Sequence, residues 1–326
     1  MRTVTALFMT LIVAACAGRP ADSGAAPTAA VSLLTTVGDS ASTIEGIAEF
    51  GGLLYVCDWK DGTIYRIDPA DPMPTAVGRL PVAPGTVVLG LRTDRLGNLY
   101  LAAPETGRVF RVAVERLGAT DFDPAQDAVV FATGADGANA LAFDQPGGHL
   151  WITGGPSGNL YRVGPAGGAV EVAATGYAAM APDTTVANRA FTVNGIAISG
   201  DRLLFTANTG TGEISRLLVD AQGQVTSIST FVKDDRLVGA DGLFMDDQSI
   251  LWVSANFRNT LARIGPDGTV TIVATSTPDS NGNALRFPAE LTKVGDTMYL
   301  ANLNFPIGAN TGQPVPGASV AAVALP

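Results

Sequence analysis

The stretch T-V-N-G-I-A-I-S-G-D-R-L-L-F-T-A-N, residues 192–208, contains the pattern that decides the fold of this chain. A polar residue and a glycine lead into a short apolar run, and a turn then leads into a second run that carries an aromatic residue. Similar stretches recur from residue 44 onward, with a weaker copy from residue 288. The residue before the glycine position lies at 45, 89, 139, 194, 241 and 289, so the spacings are 44, 50, 55, 47 and 48 residues. Periods of about 40–50 residues with several short strands each are typical of propeller blades.

The composition is typical of a protein built from many short strands. Of 326 residues, 38 are glycine and 20 are proline, 47% are hydrophobic and 15% are charged. The repeats show no sustained 3.6-residue periodicity, so the sequence predicts an all-β protein. The net charge of −10 argues against a nucleic-acid partner, because no basic stripe is present to displace counterions from phosphates.

Each repeat divides into four predicted strands, named A to D from the channel outward. Strand B carries the aromatic residue, and strand C alternates, as in G-T-I-Y-R-I-D from residue 62. The arginines of strand C recur in repeat phase, and five equivalent positions cannot all belong to one site. We interpret them as architectural: Arg66, Arg111, Arg162, Arg216 and Arg263.

The sixth repeat ends with S-V-A-A-V-A, residues 319–324, and has no strand D of its own. The run V-S-L-L-T-T-V, residues 31–37, precedes the first repeat and fits that position. Pairing it there would close the ring and cover an exposed sheet edge. We therefore predict one domain, residues 30–326: a six-bladed β-propeller with four antiparallel strands per blade, closed by an N-terminal strand.

The N-terminus has the pattern of a targeting segment. Arg2 precedes a short apolar run that ends in V-A-A-C, residues 13–16, which resembles the bacterial lipobox. This predicts a signal peptide over residues 1–15, lipidation of Cys16, and a flexible tether through residue 29. The mature protein would then be an extracytoplasmic lipoprotein attached to a membrane only by its lipid. The alternative is an ordinary secretory signal cut nearby.

The first residue of strand A should lie at the mouth of the central channel. The six residues there are Glu45, Leu89, Asn139, Asn194, Asp241 and Ala289. Two carboxylates and two amides are hard oxygen donors, which favour Ca²⁺, Mg²⁺ or Mn²⁺ and can also bind Zn²⁺. Without a cation the two acids would repel each other. The alternative is that these side chains merely cap the turns of the blades.

These motifs resemble the senescence marker protein, gluconolactonase and luciferin-regenerating-enzyme-like propellers. The resemblance is in E-G at Glu45, in the third-blade asparagine at Asn139, in N-G-I-A from Asn194 and in D-G at Asp241. It implies one divalent cation, with Ca²⁺ first among the candidates, held by these four side chains. It also implies hydrolysis of a lactone or similar ester by a protein we expect to be monomeric. Asp241 would be the catalytic general base.

The sequence departs from the family where sugar-lactone hydrolases carry R-x-N-D. Here the same place is G-A-N-A, with Gly137 and Ala140 beside the asparagine. This puts gluconolactone in doubt as the substrate and indicates hydrophobic lactones or aryl esters. Candidate substrate-binding residues in the loops on the channel-mouth face are Trp59, Arg189, Phe257, Arg258 and Phe305. Either arginine would leave room for a charged ring substituent.

Other reactive residues have simpler interpretations. The single histidine, His149, falls in a turn on the face opposite the channel mouth, which excludes a histidine-dyad mechanism. Cys57 lies in a predicted strand and is interpreted as a core residue. Asn208, Asn256 and Asn302 end strand B and either cap turns or line the site. Two function classes remain: a metal-dependent hydrolase, and a non-catalytic binding module that keeps a cation for rigidity.

The lipobox interpretation predicts the outcome of a single substitution. Cys16→Ser should abolish incorporation of labelled fatty acid and release the protein from membranes, because the acylated sulfur is lost. Metabolic labelling and membrane fractionation measure both effects. Unchanged labelling of the variant would contradict the prediction.

Overall fold

The computed structural model describes residues 29–144, 148–176, 192–200, 202–276, 284–314 and 316–325. The signal peptide and Cys16 lie outside these residues. Nearly all regular structure is β-strand, as the composition predicts. Within the described residues no helix is both long and apolar enough to cross a membrane.

The strands are short and follow one another closely along the chain. In chain order they are β1 (Val31–Val37), β2 (Ile47–Phe50), β3 (Leu53–Cys57), β4 (Thr63–Asp68), β5 (Asp71–Arg79), β6 (Leu91–Thr93), β7 (Asn98–Ala103), β8 (Arg108–Ala113), β9 (Ala128–Thr133), β10 (Ala138–Phe143), β11 (Leu150–Gly154), β12 (Asn159–Val163), β13 (Gly168–Ala169), β14 (Glu171–Ala174), β15 (Ile196–Ile198), β16 (Leu203–Asn208), β17 (Glu213–Val219), β18 (Val225–Lys233), β19 (Ala240–Met245), β20 (Leu251–Ala255), β21 (Thr260–Ile264), β22 (Val270–Thr275), β23 (Pro288–Val294), β24 (Thr297–Asn302) and β25 (Ala318–Ala324). The helical segments are one α-turn, α1 (Pro124–Asp127), and 3₁₀ turns at Pro104–Thr106, Val114–Arg116, Asp235–Leu237, Asn256–Arg258 and Gly308–Asn310.

These strands form six antiparallel sheets, which are the six predicted blades. Their orders are β2-β3-β4-β5, β6-β7-β8-β9, β10-β11-β12-β14, β15-β16-β17-β18, β19-β20-β21-β22 and β23-β24-β25-β1. The short strand β13 pairs in parallel with β9, so it extends blade two. The propeller fold and its four-stranded blades are therefore confirmed.

The ring closes through the first strand, as the sequence predicts. β1 pairs antiparallel with β25, from Val31 opposite Val323 to Val37 opposite Ala318. Val37 is buried in the core that blade one shares with blade six. The first strand thereby supplies strand D of blade six and covers the backbone edge of β25.

The arginines of strand C occupy equivalent places in blades one to five, where Arg162 is buried and Arg66, Arg216 and Arg263 are exposed. Each lies directly opposite the aromatic residue of strand B: Tyr55 and Arg66, Tyr100 and Arg111, Trp151 and Arg162, Phe205 and Arg216, Trp252 and Arg263. The guanidinium carbon of Arg162 lies 5.5 Å from the ring centroid of Trp151. The indole of Trp252 in turn donates a 2.8 Å hydrogen bond to Asp246 in the turn between strands A and B. These contacts support the architectural interpretation.

The glycine that follows the channel residue lets the innermost strands of neighbouring blades come close together. A Cβ on Gly195 would lie 1.9 Å from the carbonyl oxygen of Asp241 in the next blade. A Cβ on Gly242 would lie 2.6 Å from the oxygen of Ala289. The same holds at Gly46 and Gly90, whereas blades three and six have Ala140 and Glu290 at this position. The repeated glycine is therefore a packing requirement of the ring.

We expect Gly195→Ala to destabilise the protein by about 1–3 kcal/mol, because the added methyl must displace backbone of the next blade. Gly200→Ala is the matched control, since a Cβ at Gly200 meets nothing within 4 Å. That change should stay within about 0.5 kcal/mol of wild type. Urea denaturation measures both, and equal stability of the two variants would contradict this account of the ring.

Candidate functional site

The four predicted channel residues lie together at one mouth of the channel. Glu45 and Asn194 precede β2 and β15, and Asn139 and Asp241 lie in β10 and β19. All four side chains are at most 5% exposed and line one cavity of about 340 Å³. The connections between strands B and C of all six blades contribute to its wall, so the structure brings the predicted set together.

β-Bulges aim two of these side chains at the channel. The pairing of β10 with β11 is interrupted between Ala138 and Leu141, and the pairing of β19 with β20 between Ala240 and Leu243. Such bulges re-orient a side chain at the cost of regular ladder bonds. A hydroxyl from strand B replaces those bonds in each case. Thr153 accepts from the amide of Ala140, and Ser254 accepts from the amide of Gly242.

A hydrogen-bond chain orients the amide side chains. Nδ2 of Asn139 donates to Oδ1 of Asn194 at 2.8 Å, and Nδ2 of Asn194 donates to the hydroxyl of Thr209 at 2.9 Å. Thr209 donates in turn to the carbonyl oxygen of Ala240. This series of hydrogen bonds uses the side-chain N–H groups of Asn139 and Asn194 as donors. Oδ1 of Asn139 accepts no bond in the series and is left facing the cavity.

Three buried oxygens in this cavity have no hydrogen-bond partner among the described residues: Oε2 of Glu45, Oδ1 of Asn139 and Oδ1 of Asn256. Leaving a buried acceptor unpaired costs about 1–3 kcal/mol or more. Three unpaired acceptors around one cavity therefore favour a cation between them. The oxygen donors are two carboxylates and two or three amides, which are ligand types that divalent cations accept. No three His, Cys, Asp or Glu side chains form a metal-binding group in the described part of the chain.

The environment of the channel acids disfavours their ionised forms. Burial raises the pKa of Glu45 well above its usual range, and the charges of Asp241 and Glu290 raise it further. Burial also raises the pKa of Asp241 to about 7, although a hydrogen bond from Asn256 lowers it in part. Either protons or a cation must therefore offset the negative charge of this site near neutral pH.

The structure decides between the two roles that the sequence leaves open for the asparagines at the end of strand B. Asn208 caps a turn by accepting from the amides of Gly210 and Thr211. Asn302 is also structural and accepts from the amide of Arg286. Asn256 instead lines the cavity, and its Nδ2 donates to Oδ2 of Asp241 at 2.8 Å.

Sequence reasoning missed Glu290 and Arg92, which lie beside the site. Glu290 stands where four other blades have glycine, and that departure from the repeat was the available signal. Its carboxylate accepts from Nη2 of Arg92 at 3.3 Å, while Nε of Arg92 donates to the carbonyl of Leu141. Burial raises the pKa of Glu290 to about 7, and Arg92 opposes this. This pair links blades two and six beside the acids.

Aromatic rings form one wall of the cavity. Trp59 and Phe305 meet edge to face with centroids 6.3 Å apart. Phe287 lies 5.6 Å from Phe305 and 5.4 Å from Phe257. Phe287 was not predicted; its backbone has φ of 57°, a conformation that its amide's hydrogen bond to Asn259 supports.

Three of the five predicted substrate-binding residues lie in the cavity lining. Trp59, Phe257 and Phe305 line the cavity. Arg258 is not in its lining, because its guanidinium is exposed and donates to the backbone oxygen of Asp235. Arg189 lies outside the described residues.

His149 and Cys57 take no part in the cavity lining. Nδ1 of His149 lies 3.5 Å from Asp144 in the turn between strands A and B of blade three. Cys57 is fully buried, and burial raises the pKa of its thiol. Both interpretations from the sequence hold.

Comparison with known proteins supports the predicted resemblance. Residues 137–281 match the model of the SMP-30/Gluconolactonase/LRE-like region. No curated protein sequence matches the chain. Among solved structures, a luciferin-regenerating enzyme aligns with a TM-score of 0.65 at 15% identity, covering 91% of this chain and 95% of that one. Regucalcin from Agrobacterium tumefaciens, described as a calcium-binding protein, aligns with a TM-score of 0.63 at 16% identity, covering 91% and 96%.

A third solved structure is a histidine-to-alanine variant of virginiamycin B lyase from Staphylococcus aureus, described as catalytically inactive and solved with quinupristin. It aligns with a TM-score of 0.59 at 13% identity, covering 91% of this chain and 99% of that one. At these identities the structural matches show the propeller fold alone.

The raised pKa values predict how stability depends on pH without metal. A buried acid whose folded pKa lies above its unfolded value stabilises the fold below pH ~4, and that contribution is lost as pH rises through about 7 for Asp241. The melting temperature in chelator should therefore fall between pH 5 and 8. Asp241→Asn should flatten this fall, whereas Asp247→Asn, at an exposed position, should not. A pH-independent melting temperature in chelator would contradict the prediction.

Proposed function

We propose that this chain, whose residues 137–281 match the SMP-30/Gluconolactonase/LRE-like region, is a divalent-metal-dependent hydrolase of a lactone or ester. One observation carries the proposal: three unpartnered buried oxygens and two buried acids surround a single cavity. The family match supports hydrolysis because the family includes gluconolactonases.

Glu45, Asn139, Asn194 and Asp241 would hold the cation through oxygen atoms, with Asn256 beside them. Their two carboxylates would balance the charge of one divalent ion. An all-oxygen set favours Ca²⁺, and the regucalcin neighbour is described as calcium-binding. When bound, such an ion polarises a carbonyl oxygen and makes water more acidic.

Asp241 is the residue best placed to act as general base. Its carboxylate lies at the cavity floor, and Asn256 holds one of its oxygens by a 2.8 Å hydrogen bond. In hydrolysis, the oxygen of water forms a bond to the acyl carbon while Asp241 takes the proton of that water. The bond between the acyl carbon and the alkoxy oxygen then breaks, and the proton passes to the leaving oxygen. The aromatic wall keeps bulk water from this step.

The second candidate is a binding module whose cation is structural. It is favoured by the hydrogen-bond chain from Asn139 through Asn194 and Thr209 to the backbone of Ala240, which ties the site to the scaffold. Metal stoichiometry alone does not separate the two candidates, but turnover does.

We further propose that the protein acts as a monomer outside the cytoplasm, tethered through Cys16. The support is the V-A-A-C motif after a short apolar run, residues 13–16.

The proposal predicts about one divalent ion per chain and turnover that chelator abolishes. Asp241→Asn should lower kcat by about 10²–10⁴-fold, because it removes the base, and should also weaken metal binding. Asn256→Ala should lower kcat with a smaller loss of metal affinity, and Asp247→Asn should match wild type. Elemental analysis, calorimetric titration with Ca²⁺ and a panel of lactones and aryl esters measure these effects.

The outcomes separate the candidates. Bound metal without turnover on the whole panel would favour the binding module. No stoichiometric metal in wild type, or turnover that chelator leaves unchanged, would refute the proposed mechanism.

A further inference from the structure

We propose that the substrate is an uncharged lactone or ester with a single aromatic ring, and that the cavity rejects both anionic and polyhydroxylated ligands. This inference rests on the proposed hydrolase function and names the substrate class for the same site. It rests on the aromatic wall of the cavity, on the negative charge of the cavity lining and on the cavity volume.

The aromatic wall offers an apolar surface to a ligand, built from rings that stand edge to face or tilted to one another. Phe257, Phe287, Phe305 and Trp59 follow one another with neighbouring centroids 5.4–6.3 Å apart. These spacings are those of stacked or edge-to-face rings, which accept a further aromatic ring favourably. The four residues come from blades five, six and one, so the wall rises on one side of the acids.

Among the described residues, the cavity lining contains acidic side chains and no basic ones. Glu45 and Asp241 lie at the floor and Glu105 is exposed at the rim, while no Lys, Arg or His of the described residues lines the cavity. One divalent ion would balance the two floor carboxylates and leave the charge of Glu105. A carboxylate on the substrate would therefore face a like charge with no described cation to pair with it.

A sugar lactone would leave most of its hydroxyls unpaired. The upper wall is apolar, with Pro104, Pro156, Leu303 and Ile307 among its residues. At Gly137, φ is 68° and a Cβ would lie 2.8 Å from the ring of Pro156. Gly137 therefore supplies no polar side chain to the cavity, and Pro156 occupies the place that such a side chain would need. A site rejects hydroxyls that it cannot hydrogen-bond, since each must be desolvated without compensation.

The volume limits the size of the ligand. At about 340 Å³ the cavity lies near the lower end of the ~300–1,000 Å³ range of small-molecule sites. This suits one ring with a short ester or fused lactone.

The test compares kcat/KM of the Ca²⁺-loaded protein for three lactones: dihydrocoumarin, a carboxylate-bearing dihydrocoumarin and gluconolactone. We expect dihydrocoumarin to exceed each of the others by at least about 10-fold, the scale of one unpaired polar contact. Phe305→Ala should raise KM for dihydrocoumarin and leave δ-valerolactone, which is too small to reach this ring, nearly unchanged.

Glu105→Gln should increase kcat/KM for the carboxylate-bearing substrate severalfold. Its matched control is Glu115→Gln, because Glu115 is an exposed acid in the other 3₁₀ turn of blade two and does not line the cavity. That control should behave as wild type.

Three results would overturn the inference while leaving the hydrolase intact. They are equal turnover of the neutral and carboxylate-bearing lactones, a preference for gluconolactone, or a preference for the carboxylate that Arg189→Gln removes. The last would show that Arg189 supplies the cation.

If no lactone or ester is hydrolysed, the proposed function fails. The inference about the ligand class is then tested by measuring ligand binding instead of turnover. Calorimetry with 3,4-dihydro-2-quinolinone, the lactam that matches dihydrocoumarin, and with its carboxylate-bearing analogue gives the answer. Binding of the neutral lactam alone would support the ligand class, and any other result would refute it.

Discussion

The close approach of innermost strands at the channel is the constraint on which this structure depends. The backbone oxygen of Asp241 occupies the space that a Cβ on Gly195 would need, and similar contacts occur at Gly46, Gly90 and Gly242. Packing at this distance brings the residues just before each glycine to the same channel mouth. The arrangement that closes the ring therefore also assembles the site. At these four positions an added side chain would have to displace atoms of the neighbouring blade.

This geometry interrupts the regular pairing between the two innermost strands of blades three and five. Bulges in β10 and β19 break the regular ladder where Asn139 and Asp241 turn toward the channel. The hydroxyls of Thr153 and Ser254 restore bonds to the backbone that the bulges would leave unpaired. Outside the channel, arginine and aromatic pairs repeat in every blade from one to five and stabilise the sheets that carry these bulges.

The site combines an acidic, oxygen-rich floor with an apolar wall, and this separation sets its chemistry. The side chains of Asn139 and Asn194 are held by hydrogen bonds to the scaffold, while Oδ1 of Asn139 and Oε2 of Glu45 have no partner among the described residues. The aromatic part of the wall comes from loops of blades five, six and one. Under the proposed function, the body of a ligand would bind through hydrophobic contacts, and a small number of oxygens at one end would orient it.

The sequence by itself determined the blade count, the closing strand and the four channel residues, because repeat phase maps directly onto position in a propeller. A residue before the glycine must lie at the channel, whatever its neighbours are. Only the tertiary structure decided that Asn256 binds Asp241 while the equivalent Asn208 caps a turn. It also showed that Phe287 joins the aromatic wall and that Arg258 turns away toward Asp235. These outcomes depend on side-chain rotamers and on which loops of different blades meet, and neither property has a period along the chain.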